Sequence, residues 1–327
     1  MHIFTNPNFN FLRWRWPSLA LSSVVIAAGL AMMVTQGLRR NVEFEGGMNL
    51  VVRFEQPVSE DQIRGAVENI PGDKQVQQFG DRGGNEWLIR VPLVAAADPG
   101  ASLAATSDQI ARALDGGGLP KSEVISREGV SPIIGADLQR RGISATVLSI
   151  LAITAYIAFR FQWSFALGSI VATFHDVFVT LAFLVFFRYE MSLNIVAAML
   201  TMVGYSMNDM IVIFDRVREN SRKSRKEPLD RMINTSLNQT LTRTVITSGT
   251  VFLAVLALFL FGGEVLEGFA FTMLVGTLAT TYSGWFIAPS IAIMMSGRAS
   301  AAAASERDQA PPQPARKAKP QRKAKAS

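Results

Sequence analysis

Six long apolar runs, separated by charged or glycine-rich segments, constrain this chain more than any other feature. About 20 consecutive apolar residues are needed to cross a bilayer as a helix, and inside lipid only structures that satisfy their own backbone hydrogen bonds survive. The runs predict a first span over residues 17–38 and five more near 143–159, 165–187, 193–214, 245–261 and 269–295. The last is longer than a crossing requires, so tilt or an end outside the membrane is expected. The first run resembles a secretory signal in position. It reaches Arg39-Arg40 without a small-x-small cleavage pattern, so it is expected to be retained. Arg13, Trp14, Arg15 and Trp16 ahead of it read as an interfacial anchor that closes a short N-terminus, residues 1–16.

Between the first two spans lies a stretch of soluble character, with a domain over residues 39–128 leading into a five-helix membrane part, 129–295. Alternation from Val42 to Phe54 predicts a strand with a bend or bulge at Gly46-Gly47. Ser59 is placed to cap a helix running to about Asn69, with Glu60 and Asp61 in its first turn. Val76–Phe79 and Trp87–Val91, joined by a turn at Asp81–Gly84, predict a hairpin. A helix over Ala101–Leu114 and a strand over Glu123–Arg127 complete the order β-α-β-β-α-β. The expected fold is a polytopic α-helical membrane protein of six transmembrane helices with a small external α+β, ferredoxin-like domain between spans one and two.

Charge sets the expected orientation. Arg216, Arg218, Arg222, Lys223, Arg225, Lys226 and Arg231 lie between spans four and five, whereas the next connection carries Glu264 and Glu267 and no basic residue. The positive-inside rule then puts both termini in the cytoplasm of a bacterial-type inner membrane and the α+β domain outside. Arg39, Arg40, Arg140 and Arg141 fall on the wrong side, but they flank a segment long enough to be exempt. Residues 297–327 are rich in alanine, proline and lysine, which predicts a disordered basic tail drawn to anionic lipid. The net charge of +6 therefore does not imply nucleic acid as a partner. With no cysteine and only His2 and His175, disulfides, thiolate sites and a histidine metal cluster are not expected. No phosphate-cradling glycine loop appears, so ATP is not expected as the direct fuel, and neither a metal nor an organic cofactor is anticipated.

Polar residues inside the spans are the candidate functional groups, because a charge within lipid is costly and rarely idle. Asp209, beside Asn208, lies in span four, and Arg243 opens span five. Read by depth, both fall near the cytoplasmic side, where a fold-back pairs them. Arg243 then holds Asp209 ionised until it moves away and the carboxylate takes up a proton. The plain alternative for Arg243 is a boundary marker, and for Asp209 a side chain reaching for the headgroups. His175-Asp176 in span three is read equally as a relay and as a neutral structural pair. Gly268, Thr272, Gly276, Thr280 and Gly284 recur every fourth residue in span six and read as a helix-packing seam. An intramembrane aspartyl protease using Asp176 and Asp209 needs the two carboxylates close together. Neither stands in a Gly-x-Gly-Asp context, and the chain is not expected to be an enzyme.

Several motifs then resemble one family. They are Gly204-Tyr-Ser-Met-Asn-Asp209, Phe214-Asp-Arg-Val-Arg-Glu-Asn220, Arg243-Thr-x-x-Thr-Ser248, Phe261-Gly-Gly263, Val130-Ser-Pro-Ile-Ile-Gly135, His175-Asp-Val177 and Thr281-Tyr-Ser283. Over roughly residues 40–295 the chain resembles the SecD/SecF family of protein-export membrane subunits, and within it SecF. The resemblance implies a partner, SecD, and with it a twelve-span unit similar to the resistance-nodulation-division transporters. It also implies a role in pulling polypeptides that emerge from the SecYEG channel outward with the proton motive force, with Asp209 and Arg243 in the functional positions. Two departures stand out: Met210 where a small hydroxyl residue is usual, and Phe44-Glu-Gly-Gly47 in place of Phe-Thr-Gly-Gly. SecD itself has a much larger external region. A small-molecule exporter of the resistance-nodulation-division kind, the alternative function, needs two large external domains.

Overall fold

In the computed structural model, residues 7–71, 74–80, 85–93, 99–130, 132–160, 163–223 and 227–296 are described. The first six residues, the turn expected at Asp81–Gly84, Ser131, Arg225, Lys226 and residues 297–327 lie outside them.

Helix α1 (Arg15–Gln36) follows a 3-10 turn over Phe11–Trp14, whose Asn10 side chain accepts the Arg13 N–H at 3.1 Å. At about 1.5 Å per residue, α1 is long enough to cross lipid. It stops at Gly37, whose φ of 72° is the left-handed conformation that glycine adopts without strain.

The strand expected from Val42 begins later. Residues Val42–Glu45 form a helical turn, α2, and only after Gly46 (φ 78°) does β1 (Gly47–Phe54) begin, with Gly47 at φ 150°. Alternation in four residues cannot separate a strand from one turn of helix, in which Phe44 is buried. Next come α3 (Glu60–Ala66), β2 (Gln75–Gln78), β3 (Glu86–Val91), α4 (Pro99–Gly116) and β4 (Ser122–Val130). Ser59 and Gln62 form a reciprocal capping box on α3. That helix ends three residues earlier than expected, where the Glu68 N–H reaches the Gly65 carbonyl at 3.3 Å and the Ile70 N–H the Val67 carbonyl at 3.0 Å, three residues back rather than four.

The four strands make one antiparallel sheet, ordered β2-β3-β1-β4, with Leu50 opposite Ile89 and a register shift between Val51 and Val52. Leu50, Val52, Phe54, Ile63, Ile89, Ile110 and Leu114 form its core against α3 and α4.

The membrane part consists of α5 (Pro132–Arg160), α6 (Trp163–Phe186), α7 (Leu193–Lys223), α8 (Leu229–Phe261) and α9 (Glu264–Tyr282). After α9 the chain passes through a π-helical turn, Ser283–Ile287, and resumes as helix. With α1, six helices among the described residues are long and apolar enough to cross a membrane. Several run past the expected spans: α5 starts at Pro132 rather than near 143, and α8 at Leu229 rather than near 245. Apolar runs mark only the lipid-crossing part. Beyond it, α7 continues on ion pairs from Glu219 to Arg216 and Lys223, and Asn220 bonds across to Ser236 and Gln239 of α8. Helices α6 and α7 are the most buried of the six, and α5 is the most peripheral.

Candidate functional site

Two buried acids sit at the centre of the bundle, each with its own partners. On α7, Asp209 is 3% exposed. Its Oδ2 accepts a hydrogen bond from Ser248 of α8 at 3.2 Å, and Ser248 in turn accepts one from the Tyr205 hydroxyl at 3.1 Å. Arg243 does not close the expected pair: no ion pair joins it to Asp209 among the described residues, and Arg243 is an exposed residue of α8. Its charge acts on Asp209 only from a distance. Azimuth explains the difference. Arg243 and Ser248 are five residues apart, about 140° around a helix of 3.6 residues per turn, so Ser248 faces α7 and Arg243 does not. Asn208 is likewise exposed, one step around α7 from Asp209.

The second acid, Asp176 on α6, is fully buried. Its Oδ1 stands 3.0 Å from His175 Nδ1, and its Oδ2 accepts the Ser206 hydroxyl of α7 at 2.7 Å. The Ser283 hydroxyl is a further neighbour. The other ring nitrogen, His175 Nε2, lies 2.8 Å from Ser22 Oγ on α1, and the ring stacks on Tyr282 at a centroid distance of 6.0 Å. Tyr282 also donates to the Ser18 carbonyl at 2.8 Å, so α1, α6, α7 and α9 converge on this pair. A cavity of about 210 Å³ borders the cluster, lined by Ser22, His175, Tyr282 and apolar side chains including Phe183 and Leu278.

The two clusters meet on α7. Ser206 belongs to one and Asp209 to the other, three residues apart and therefore neighbours on the helix surface. Hydroxyls and imidazole can each donate and accept, so these residues have the chemistry to hold and hand on a proton. No hydrogen bond joins the two carboxylates, and each is committed to separate partners, so the geometry of a proton-sharing protease dyad is not formed. Among the described residues no three His, Asp or Glu side chains cluster as a metal site would require.

The glycine-threonine stripe of α9 and the π-helical turn after it faces α7. A methyl group on Gly268 would stand 3.2 Å from Ile195 Cδ1, one on Gly276 2.5 Å from Met202 Sδ, and one on Gly284 3.8 Å from Ile213 Cδ1. Thr272 and Thr280 are buried between them.

The family model for the SecD/SecF protein-export membrane protein C-terminal region matches residues 111–298, more than half of the chain. The chain belongs to the SecD/SecF family. Protein translocase subunit SecF of Escherichia coli O157:H7 is 35% identical over 288 residues, covering 88% of each chain. The SecF subunit of Rhodothermus marinus is 37% identical over 308 residues, covering 92% of this chain and 97% of that one. The crystal structure of SecDF from Thermus thermophilus, a translocon-associated membrane protein, superposes with a TM-score of 0.79 at 32% identity. It covers 90% of this chain, which spans only 39% of that longer one. A second SecDF structure, in a super-membrane-facing form, gives a TM-score of 0.68 at 32% identity over 93% of this chain and 41% of that one.

The family match contains both acids and every residue of the two clusters except Ser18 and Ser22. Ser248, Ser283 and Tyr282 lie within motifs that carry the resemblance, without a role visible from the sequence. Ser206 lies in the Gly204–Asp209 motif, likewise without a visible role, whereas Ser22 and Ser18 carry no signal, since a serine in an apolar helix is equally satisfied by its own backbone.

Proposed function

We propose that this chain is the SecF subunit of a protein-export complex, acting with SecD on polypeptides that leave the SecYEG channel and drawing on the proton motive force. It is read as a non-enzymatic subunit without a cofactor, in the inner membrane, with both termini cytoplasmic and the α+β domain outside. The basic tail is assigned to anionic lipid.

The observation that carries this reading is Asp209, a carboxylate buried in a membrane bundle with one hydroxyl as its hydrogen-bond partner. Such a group is costly in lipid unless it works. Around it α7 and α8 turn polar residues outward, Thr201 and Asn208 on one helix, Arg243 and Thr250 on the other. Polar side chains at membrane depth call for protein rather than lipid beside them, which supports SecD as the covering partner. In the proposed cycle, Asp209 exchanges Ser248 for Arg243 when it ionises and returns to Ser248 when it takes a proton. His175 and Asp176 are assigned to the same relay through Ser206, and the α9 stripe to holding α7 in place.

The test is export into inverted membrane vesicles with and without a proton gradient. Asp209→Asn is expected to assemble at normal abundance and to lose the gradient-dependent part of export, leaving the level seen without a gradient. Gradient-stimulated export that matches the unaltered protein would overturn the proton role.

A further inference from the structure

The loop between α6 and α7 is gripped from both sides. From the α+β domain, Arg90 on β3 forms an ion pair with Glu190, with both side chains mostly buried. The same guanidinium is braced by Asn49 on β1 at 3.0 Å and Gln75 on β2 at 3.1 Å. Two backbone bonds tie the chain leaving α1 to the same loop: Met191 N–H to the Arg39 carbonyl at 2.8 Å, and Asn41 N–H to the Met191 carbonyl at 2.9 Å. Glu43 Oε2 then accepts the N–H of Leu193, the first residue of α7, at 2.6 Å. From the membrane side, the Tyr189 hydroxyl donates to Glu267 at 2.6 Å while its ring stacks on Phe271 at 4.5 Å. Burial beside Glu267 pushes the Tyr189 hydroxyl up, so it remains a donor.

Glu43 has the most consequential place among these contacts. The first N–H groups of a helix lack partners within it and carry the positive end of its dipole, so a carboxylate there is held by hydrogen bond and charge together. Helix α7 is unbroken from Leu193 to Lys223, and Asp209 lies about 24 Å along it at about 1.5 Å per residue. On its other side Glu43 belongs to α2, which passes through Gly46 and Gly47 directly into β1, the strand paired with both β3 and β4. Helix α2 is itself seated on α5: a methyl group on Gly135 would stand 3.0 Å from the Phe44 carbonyl and 3.1 Å from that of Glu43.

We infer that Glu43 is a positioning residue that joins the end of α7 to the base of the α+β domain, so that a shift of α7 set off at Asp209 moves the domain with the helix. This rests on the proton-driven reading above. Two further features fit a transmission joint. The contact is made to backbone at the helix end, so it follows movement of the helix as a whole. The Arg90–Glu190 pair anchors the same loop to the sheet through a second route.

The test uses the complex reconstituted with SecD and the channel, measuring gradient-dependent export and proton uptake in the same vesicles. Glu43→Ala is expected to keep normal abundance and proton uptake within two-fold while the gradient-dependent part of export falls at least five-fold. Glu43→Asp is expected to recover part of it. A covalent joint then replaces the carboxylate. Arg40 and Met191 face each other across the backbone bridge. Paired backbones lie about 4.8 Å apart, within the roughly 4.4–6.8 Å that a disulfide spans. The chain has no cysteine of its own to interfere. In Glu43→Ala/Arg40→Cys/Met191→Cys, oxidation is expected to restore at least half of the lost export and reduction to remove it again. Undiminished export in Glu43→Ala, proton uptake lost in step with export, or no rescue on oxidation would each overturn the joint. Asp209→Asn run alongside separates the two ideas. Stimulation lost in Glu43→Ala but kept in Asp209→Asn removes the proton reading and leaves the joint, and the reverse outcome removes the joint alone.

Discussion

The α+β domain and the helical bundle differ in how much polar side chain they bury. The domain closes over Leu50, Val52, Phe54, Ile63, Ile89 and Ile110, bulky and apolar. The bundle buries His175, Asp176, Ser206, Asp209, Thr272, Thr280 and Ser283 among small residues such as Ala172, Ala198, Ala270 and Ala288. Many of its large apolar residues, including Val34, Leu148, Phe159, Leu253 and Phe261, point outward, while Phe165, Ile213, Phe214 and Leu237 pack inside. The solvents account for the difference. In water, removing apolar surface is the main driving force. In lipid that force is absent between helices, and association relies on close backbone approach and hydrogen bonds. A membrane bundle can therefore carry ionisable groups at its centre, where a soluble core of this size would be destabilised by them.

The comparison predicts unequal sensitivity to cavities. Leu50→Ala removes a fully buried side chain from the centre of the sheet and should cost the domain about 2–5 kcal/mol. Protease protection of the domain in the reconstituted full chain would register this as early cleavage, with the bundle left intact. Wild-type protection would mean that the domain is not held by its own apolar core.

The bundle should instead be sensitive to added volume where backbones touch. A methyl group on Gly168 of α6 would stand 2.6 Å from the Ala288 carbonyl, in backbone that cannot swing aside. Gly168→Ala should destabilise the bundle by about 1–3 kcal/mol. Gly284→Ala meets Ile213 Cδ1 at an ordinary 3.8 Å and should lie within about 0.5 kcal/mol of neutral. Thermal unfolding of the full chain in detergent reads both, and equal Tm values for the two variants would contradict packing by close approach.

Much of this difference was legible in the sequence, and what was not has a geometric reason. The six apolar runs and the carboxylate inside the fourth follow from counting residues, because depth in a membrane is proportional to position along a helix. Rotation about the helix axis is not set by depth. Asp209 and Arg243 were matched by depth, and the structure turns Arg243 outward and places Ser248 against the acid instead. Helix ends were also illegible, since α5 and α8 extend through polar residues that apolar counting excludes. The α+β topology was readable from turn residues and alternation. The exception was Val42–Glu45, where contact with α5 and the loop before α7 favours a helical turn over the strand that alternation suggests. Ser22 meets His175 from 153 residues away, a separation that no local pattern encodes.

The smallest expected effect sharpens the comparison most. Ser22→Ala removes the hydroxyl 2.8 Å from His175 Nε2 and leaves that nitrogen beside Tyr282 and the neighbouring cavity. In a soluble core an unpartnered buried polar atom costs about 1–3 kcal/mol. Within a membrane bundle, side-chain hydrogen bonds measure only about 0.6 kcal/mol on average, and about 1.7 at most, because helices separated in lipid also find partners. Ser22→Ala should therefore lower the Tm of the full chain less than Gly168→Ala does, and much less than Leu50→Ala lowers protection of the α+β domain. A double-mutant cycle pairing Ser22→Ala with Tyr282→Phe should show coupling, since both residues attach α1 to the same cluster. A loss above 2 kcal/mol for Ser22→Ala alone, by the scale just given, would mean that the bundle depends on its polar centre for stability as the domain depends on its apolar one. The difference would then be one of composition only, and the polar residues would have to be counted first as structure.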